Sequence, residues 1–400
     1  MNMNHHRNQF NLFLIAFVII ALCIIGRFLF FDSNKDVPEF GKTIKPSLLW
    51  KKNCDSRIIK TNVLKNLTMA GEKIPHFPFE AILTEKSVIL LDDKGNTKKK
   101  ISCKDFDKMD LSNEYFAWMK DNKITIAKYD SSVIGTINLR DFQSIVLKEH
   151  IAFALSPNGQ LIVIASYFTR TIYFFKTNGK LLSQYVLEKG MTDIHFKFSK
   201  DSRSVVIVAS NCGKQTADGT MLFFKNENKH WMFPFKGCRA SFDMSSDGKF
   251  ILLAWADKIY SFNDKGKMFY EKKWIPGDIH VSLSETGRLA VIQNQERLSV
   301  IDNPNGLLMW EKNIQGFMPK QSMLTSLWVS EKGNYITVAF SKHWMMTDKE
   351  SLMSIIDLQG KTIWEHMFHK NNVSIKESQD TNFILCAADH DLYLYRTYGN

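Results

Sequence analysis

From Ser112 onward the chain cycles through one pattern: two apolar residues in alternation, a serine, a short polar turn, then a nearly unbroken apolar run. The serines are Ser112, Ser156, Ser199, Ser245, Ser284, Ser330 and Ser378, spaced 39 to 48 residues apart. Positions one and three before each serine are apolar, as in Phe153 and Leu155 or Phe242 and Met244, and only Glu377 breaks the rule. Such alternation predicts a short strand with one face in a core. Turns such as SPNG, SSDG and SETG follow, rich in residues that accept positive φ. The next runs (LIVIAS, VVIVAS, FILLAW, YITVAF) are apolar on both faces, as a strand sandwiched between neighbouring sheets must be. A third strand follows in each unit, and several units add an Asp/Asn and Gly turn leading to a fourth, as in DLQGKTIWEHM.

Four strands in a unit of roughly 40 to 45 residues predict an all-β fold, a single β-propeller over residues 45–400. Counting third strands, with VILLDD at Val88 and TIAKYD at Thr125 included, gives eight four-stranded blades. The inner strand of the first blade, somewhere in Arg57 to Met69, matches the repeat poorly, which leaves seven as the alternative. After LYLYRTYGN the last blade lacks an outer strand, and LLWKKN at Leu48 reads like the fourth strand LLMWEKN at Leu307. Residues 47–53 are therefore expected to close the last blade and cover its sheet edge.

The D-x-x-G-x-x-x-W phrases, at Asp357 to Trp364 and, with one extra residue, at Asp302 to Trp310, resemble the repeat of quinoprotein-type, or PQQ-like, propellers. The Ser-x-Asp-Gly phrases resemble the broader bacterial WD40-like group, although Gly-His and Trp-Asp dipeptides are missing. The resemblance spans the whole chain after the amino-terminal segment and implies a protein-binding scaffold. A quinoprotein dehydrogenase would carry an adjacent cysteine pair, which this chain lacks, and no cofactor is expected. Nucleophile-elbow, zincin and P-loop motifs are also missing, so the sequence favours a non-enzyme.

The amino terminus departs from the repeat. After a tail of residues 1–9, residues 10–31 are apolar apart from Asn11 and Arg27, long enough to span a bilayer, and a linker of residues 32–44 follows. No small-residue cleavage site follows the apolar run, which favours an uncleaved anchor over a signal peptide. The expectation is a single-pass membrane protein whose propeller lies on the extracytoplasmic side. Of the cysteines outside that run, Cys54 with Cys103, or Cys212 with Cys238, could pair in an oxidising space, and buried free thiols are the alternative.

With 44% hydrophobic and 23% charged residues the composition is that of a globular chain, and the net charge is +11. The cluster Lys98, Lys99, Lys100 and Lys104 suits anionic lipid or an acidic partner. Nucleic acid is not expected, because the aromatic residues fall inside strands rather than interleaving a basic groove.

Two candidate sites emerge. Positions four and six before the serines carry His150, Asp193, His195, Arg239, Asp278 and His280, with the phrase Asp-Ile-His occurring twice. Alternation places them on one side of their strands at one mouth of the channel, where they either bind a small molecule, a carbohydrate or a metal, or hydrogen-bond neighbouring blades. His195 and His280 belong to blades separated by another, and no metal is expected. The second site is a long loop exposing His343, Trp344, Met345 and Met346, an apolar tip suited to a protein partner. The leading expectation is a membrane-anchored scaffold that binds protein partners through its loop-rich face, and the contrasting one is a ligand-binding propeller that uses the channel mouth.

Overall fold

A computed structural model describes residues 44–398 apart from 65–78, 86, 93, 103–105, 114, 143–150, 189–190, 212–217, 238–239, 295–296, 315–321, 331–332, 343–349 and 378–382. The expected span at residues 10–31 lies outside the described residues, as do His150, Arg239 and His343 to Met346. Among the described residues no helix is long and apolar enough to cross a membrane.

Eight four-stranded antiparallel sheets form the blades, which decides the count in favour of eight. The inner strands, called A, are Ile58–Leu64, Lys108–Leu111, Ile151–Leu155, Asp193–Phe198, Ser241–Met244, Ile279–Leu283, Ser322–Val329 and Val373–Glu377. In blades 1 to 7 strands B, C and D follow in sequence order as a meander. Blade 8 differs: its outer strand is Ile44–Asn53, paired antiparallel to Asp391–Tyr398 with Asn53 opposite Asp391 and Ile44 opposite Tyr398. The first strand of the propeller thus lies beside the last. Asn53 Nδ2 donates to Asp391 Oδ1 at 2.7 Å, and Lys51 Nζ lies 3.1 Å from Asp391 Oδ2.

The serine phrase closes the turn from A to B. Buried Ser156 accepts from the Leu161 N–H at 3.0 Å and donates to Asn158 Oδ1 at 2.9 Å; Ser245 does the same with Phe250 and Asp247. A buried hydroxyl is satisfied on both sides, which is why a serine recurs at a core position. Strands B and C are buried along nearly their full length, and each blade interface holds its own apolar cluster, such as Val206, Met221, Phe223, Leu253 and Phe262 between blades 4 and 5.

Strand D carries an extra residue at a matching place in every one of these eight sheets, Lys98, Ile134, Leu182, His230, Phe269, Met309, Ile363 and Leu49, and that of blade 8 has a second irregularity between Ile44 and Ser47. A bulge bends the strand and re-aims the side chain that follows it. That following residue is Trp50, Trp231, Tyr270 or Trp310 in four blades, and its ring lies against the glycine of the next blade's C–D turn, Gly95, Gly266, Gly306 or Gly360. In three of these pairs a lysine two residues further on donates to the same glycine's carbonyl: Lys52 to Gly95, Lys272 to Gly306 and Lys312 to Gly360, at 2.9, 3.0 and 3.0 Å. The D-x-x-G-x-x-x-W phrase is therefore two halves of successive interlocks. Its Gly receives the aromatic ring of the preceding blade, and its Trp reaches the following one.

Cys54 and Cys386 are buried free thiols, and burial raises both thiol pKa values, which keeps them unreactive, whereas Cys103 lies outside the described residues. Cys212 and Cys238 lie outside the described residues.

Candidate functional site

Strands A run side by side around the axis without a backbone ladder between blades, so their side chains must bridge them. The end of the ring that carries the A–B and C–D turns is its base, and the end with the B–C and D–A loops is its top. At the base the channel forms a cavity of about 330 Å³. Its walls come largely from the position two before each serine: Asp110, Ala154, Lys197, Asp243, Trp328 and Lys376. Asp110 Oδ2 accepts the N–H of Leu155 at 2.8 Å and Asp243 Oδ2 that of Leu283 at 2.9 Å, each in the next blade. The opposite oxygens take Lys60 and Lys197, the latter at 2.9 Å. Each carboxylate thus clamps two blades.

Trp328 lies across this mouth. Its ring has Lys376 Nζ 4.9 Å and Lys197 Nζ 6.0 Å from the centroid, and Lys197 belongs to the far side of the channel. The indole Nε1 donates to Glu377 Oε2 at 2.8 Å, and the Tyr335 hydroxyl donates to the other carboxylate oxygen. Glu377, 4% exposed, is the one residue that breaks the apolar rule before the serines, because it receives two donors from blade 7. Lys60 and Lys197 pair with Asp110 and Asp243 at this mouth, an arrangement that fastens blades.

At the top, the channel-mouth residues found from the repeat separate. Asp193 and His195 form a pair within strand A of blade 4, Oδ2 to Nε2 3.0 Å, with side chains 38% and 60% exposed. His195 lines a cleft of about 450 Å³ with Ile59, Glu85, Lys108, Ala152 and Phe153 from blades 1 to 3. His280 and Asp278 stand in blade 6 and do not line that cleft. The His280 ring touches solvent yet is crowded by its surroundings; that desolvation pushes its pKa down, against a smaller opposite pull from the Asp278 charge. Among the described residues no three His, Cys, Asp or Glu side chains gather as metal ligands. Ser241, at the same position as the two histidines, accepts the N–H of Val281 at 3.0 Å, which is the blade-bridging role.

The same spacing already contained the missed layer. Alternation puts the residues two, four and six before a serine on one side of the strand. The positions nearest the turn carry Asp, Lys, Asp, Trp and Lys, a charge pattern plainly visible in sequence.

A second cavity, about 350 Å³, lies at the top between blades 3 and 4. Leu187 and Met191 of one D–A loop, Leu222 of strand C, and Met232, Pro234 and Phe235 of strand D make its apolar wall. Glu188, Asp218 and Lys236 stand at its rim. An apolar centre with a charged border is the anatomy of a protein-recognition pocket.

No family model matches the sequence, and no curated protein matches it. Solved propellers do match in shape: the WD40 domain of SCAP from fission yeast, with a TM-score of 0.57 at 10% identity over 90% of this chain and 99% of that one. The Dos1 propeller gives 0.57 at 13% identity over 88% and 95%, and a eukaryotic initiation factor 0.53 at 12% over 84% and 83%. At such identities the likeness is one of fold alone, and the fold of this chain is that of a WD40-type β-propeller.

Proposed function

We propose that this protein is a membrane-anchored scaffold that holds a protein partner at the top of its propeller, on the extracytoplasmic side, with residues 10–31 as the anchor. The observation that carries the reading is the apolar cavity between blades 3 and 4, which has an exposed Met232 at its wall and charges only at its rim. A partner's apolar side chain would displace water there while its polar groups meet Glu188, Asp218 and Lys236. The quinoprotein-type phrases supply interblade packing, and no cofactor enters the mechanism.

Affinity purification of the full chain from detergent-solubilised membranes, with mass spectrometry of proteins, tests the reading. A near-stoichiometric protein should co-purify with the wild type and be lost with Thr220→Arg/Met232→Arg, which fills the cavity with charge. Retention of every partner by that variant removes the cavity from the interface. A wild type that brings down no protein removes the scaffold reading.

The contrasting reading, a ligand-binding propeller, draws on the Asp193–His195 pair facing the cleft of about 450 Å³. Small-molecule and metal analysis of the same sample, repeated with His195→Ala, distinguishes it: a ligand lost with that substitution while protein capture persists would favour this reading.

A further inference from the structure

The bulge position of strand D lies near the base of each blade; in blades 2, 3 and 7 its residue, Ile134, Leu182 or Ile363, packs half-buried against the core, and where the position is exposed a polar residue is the inexpensive choice. Blades 1 and 4 follow that logic with exposed Lys98 and His230. Blades 5, 6 and 8 do not. Their bulge residues are Phe269, Met309 and Leu49, and with Leu307, Leu308 and Leu48 beside them they form a group of apolar side chains 39% to 61% exposed. Phe269, Leu307, Leu308 and Met309 belong to the first residues of strand D, next to the C–D turns of the base, whereas Leu48 and Leu49 stand midway along Ile44–Asn53, which no C–D turn joins to Asp391–Tyr398.

Charge accompanies them. Lys265 and Lys267 flank the blade 5 turn, Lys361 the blade 7 turn and Lys94 the blade 1 turn, all with exposed side chains. Of the acidic residues of these turns, Asp92 Oδ2 pairs with Lys98 at 3.1 Å and Asp264 Oδ2 with Lys225 at 3.2 Å, while Asp357 and Asp302 accept N–H groups of their own turns. The rim of blades 5 to 8 and 1 thus combines projecting apolar groups with lysine heads, the chemistry of a surface that sits in the headgroup layer of an anionic bilayer.

The connection of the chain selects the lipid over other occupants. The propeller begins at Ile44, opposite Tyr398 at the base and four residues before Leu48. The apolar segment of residues 10–31 ends 13 residues earlier, a connection that reaches at most roughly 45 Å when fully extended. If that segment is the anchor, the chain that leaves it enters the propeller at the base.

We propose that the base rim formed by Leu48, Leu49, Phe269, Leu307, Leu308 and Met309 rests on an anionic membrane surface, with Lys265, Lys267 and Lys361 at the lipid phosphates. The orientation rests on the membrane-anchor reading above, whereas the rim chemistry stands apart from it. The test uses the full chain reconstituted in phosphatidylcholine vesicles with and without phosphatidylglycerol, carrying the photo-cross-linker p-benzoylphenylalanine in place of Leu308 or, at the top end of blade 3, of exposed Val186.

Lipid adducts are expected at position 308, increased by phosphatidylglycerol, and several-fold fewer at position 186. Combining the cross-linker at 308 with Lys265→Glu/Lys267→Glu/Lys361→Glu should lower the anionic-lipid adduct about tenfold. Alkaline carbonate extraction of the same vesicles reads the anchor separately. A chain that resists extraction but gives equal or no lipid adducts at 308 and 186 overturns the rim and keeps the anchor. A chain that is extracted, yet cross-links lipid at 308 before extraction, keeps the rim and overturns the anchor.

Discussion

The indole of Trp50, in the first strand of the propeller, lies so close to Gly95 of blade 1 that an added Cβ would come 2.9 Å from its Cδ2. Gly95 also holds φ +76, and its carbonyl accepts Lys52 Nζ at 2.9 Å. One glycine thereby joins the strand that closes the ring to the blade that opens it. Gly95→Ala should lower stability by about 2 kcal/mol, from the left-handed backbone and the forced movement of the ring. Calorimetric melting checks this, and Trp50→Ala should show a similar loss without changing the secondary structure seen by circular dichroism.

Closure also predicts a pH dependence. Burial alone would raise the Asp391 carboxyl, but hydrogen bonds from Asn53 and Lys51 and the Lys51 charge outweigh it and hold the group below its ordinary value of 3.8. A depressed carboxylate pKa contributes stability that is present above the ordinary value and lost as the pH falls through the lower folded one. Asp391→Asn should therefore melt below the wild type at pH 7, with the difference shrinking below about pH 4. A gap that stays constant to pH 3 would mean that the charge on Asp391 does not fasten the closure.

Deletion of residues 44–53 tests the same closure at larger scale. It exposes the edge of Asp391–Tyr398 and removes the partner of Asp391, so melting should fall sharply and aggregation should appear, read by light scattering. Unchanged thermal stability would show that blade 8 stands without its borrowed strand.

The base of the channel separates buried from exposed ion pairs. Asp243→Ala strands the Leu283 N–H and removes the Lys197 contact, and should cost about 2–3 kcal/mol. Lys200 and Glu285 reach across blade 5, but their side chains are 33% and 29% exposed, and Lys200→Ala should cost less than about 1 kcal/mol. Denaturant titration of the two variants orders them, and equal losses would contradict the clamp role of Asp243.

Much of this architecture was legible because each blade solves the same packing problem. A short strand with one apolar face, a serine that closes a turn and a strand buried on both faces leave the same trace in every repeat, and Leu48 to Asn53 could be matched to Leu307 to Asn313 by composition. The sites were less legible. Asp193–Ile194–His195 and Asp278–Ile279–His280 read alike, yet one pair is exposed beside a cleft and the other stands two blades away. The charged layer one step nearer the turn, with Asp110, Lys197 and Asp243, is the one that ties blades together, and Glu377 looked like a lapse in the pattern until Trp328 and Tyr335 were found donating to it.

Periodicity is a local property, so strand order and turn chemistry could be read along the chain, and the number of units to within one. Interlocks are not local: Trp50 meets Gly95 from the first strand, Lys197 meets Trp328 across the channel, and Asp391 meets Asn53 from the other end of the ring. Which charges neutralise one another, which apolar residues remain outside and which end of the ring receives the chain depend on distances set only when the ring closes, and those distances decided where function can lie.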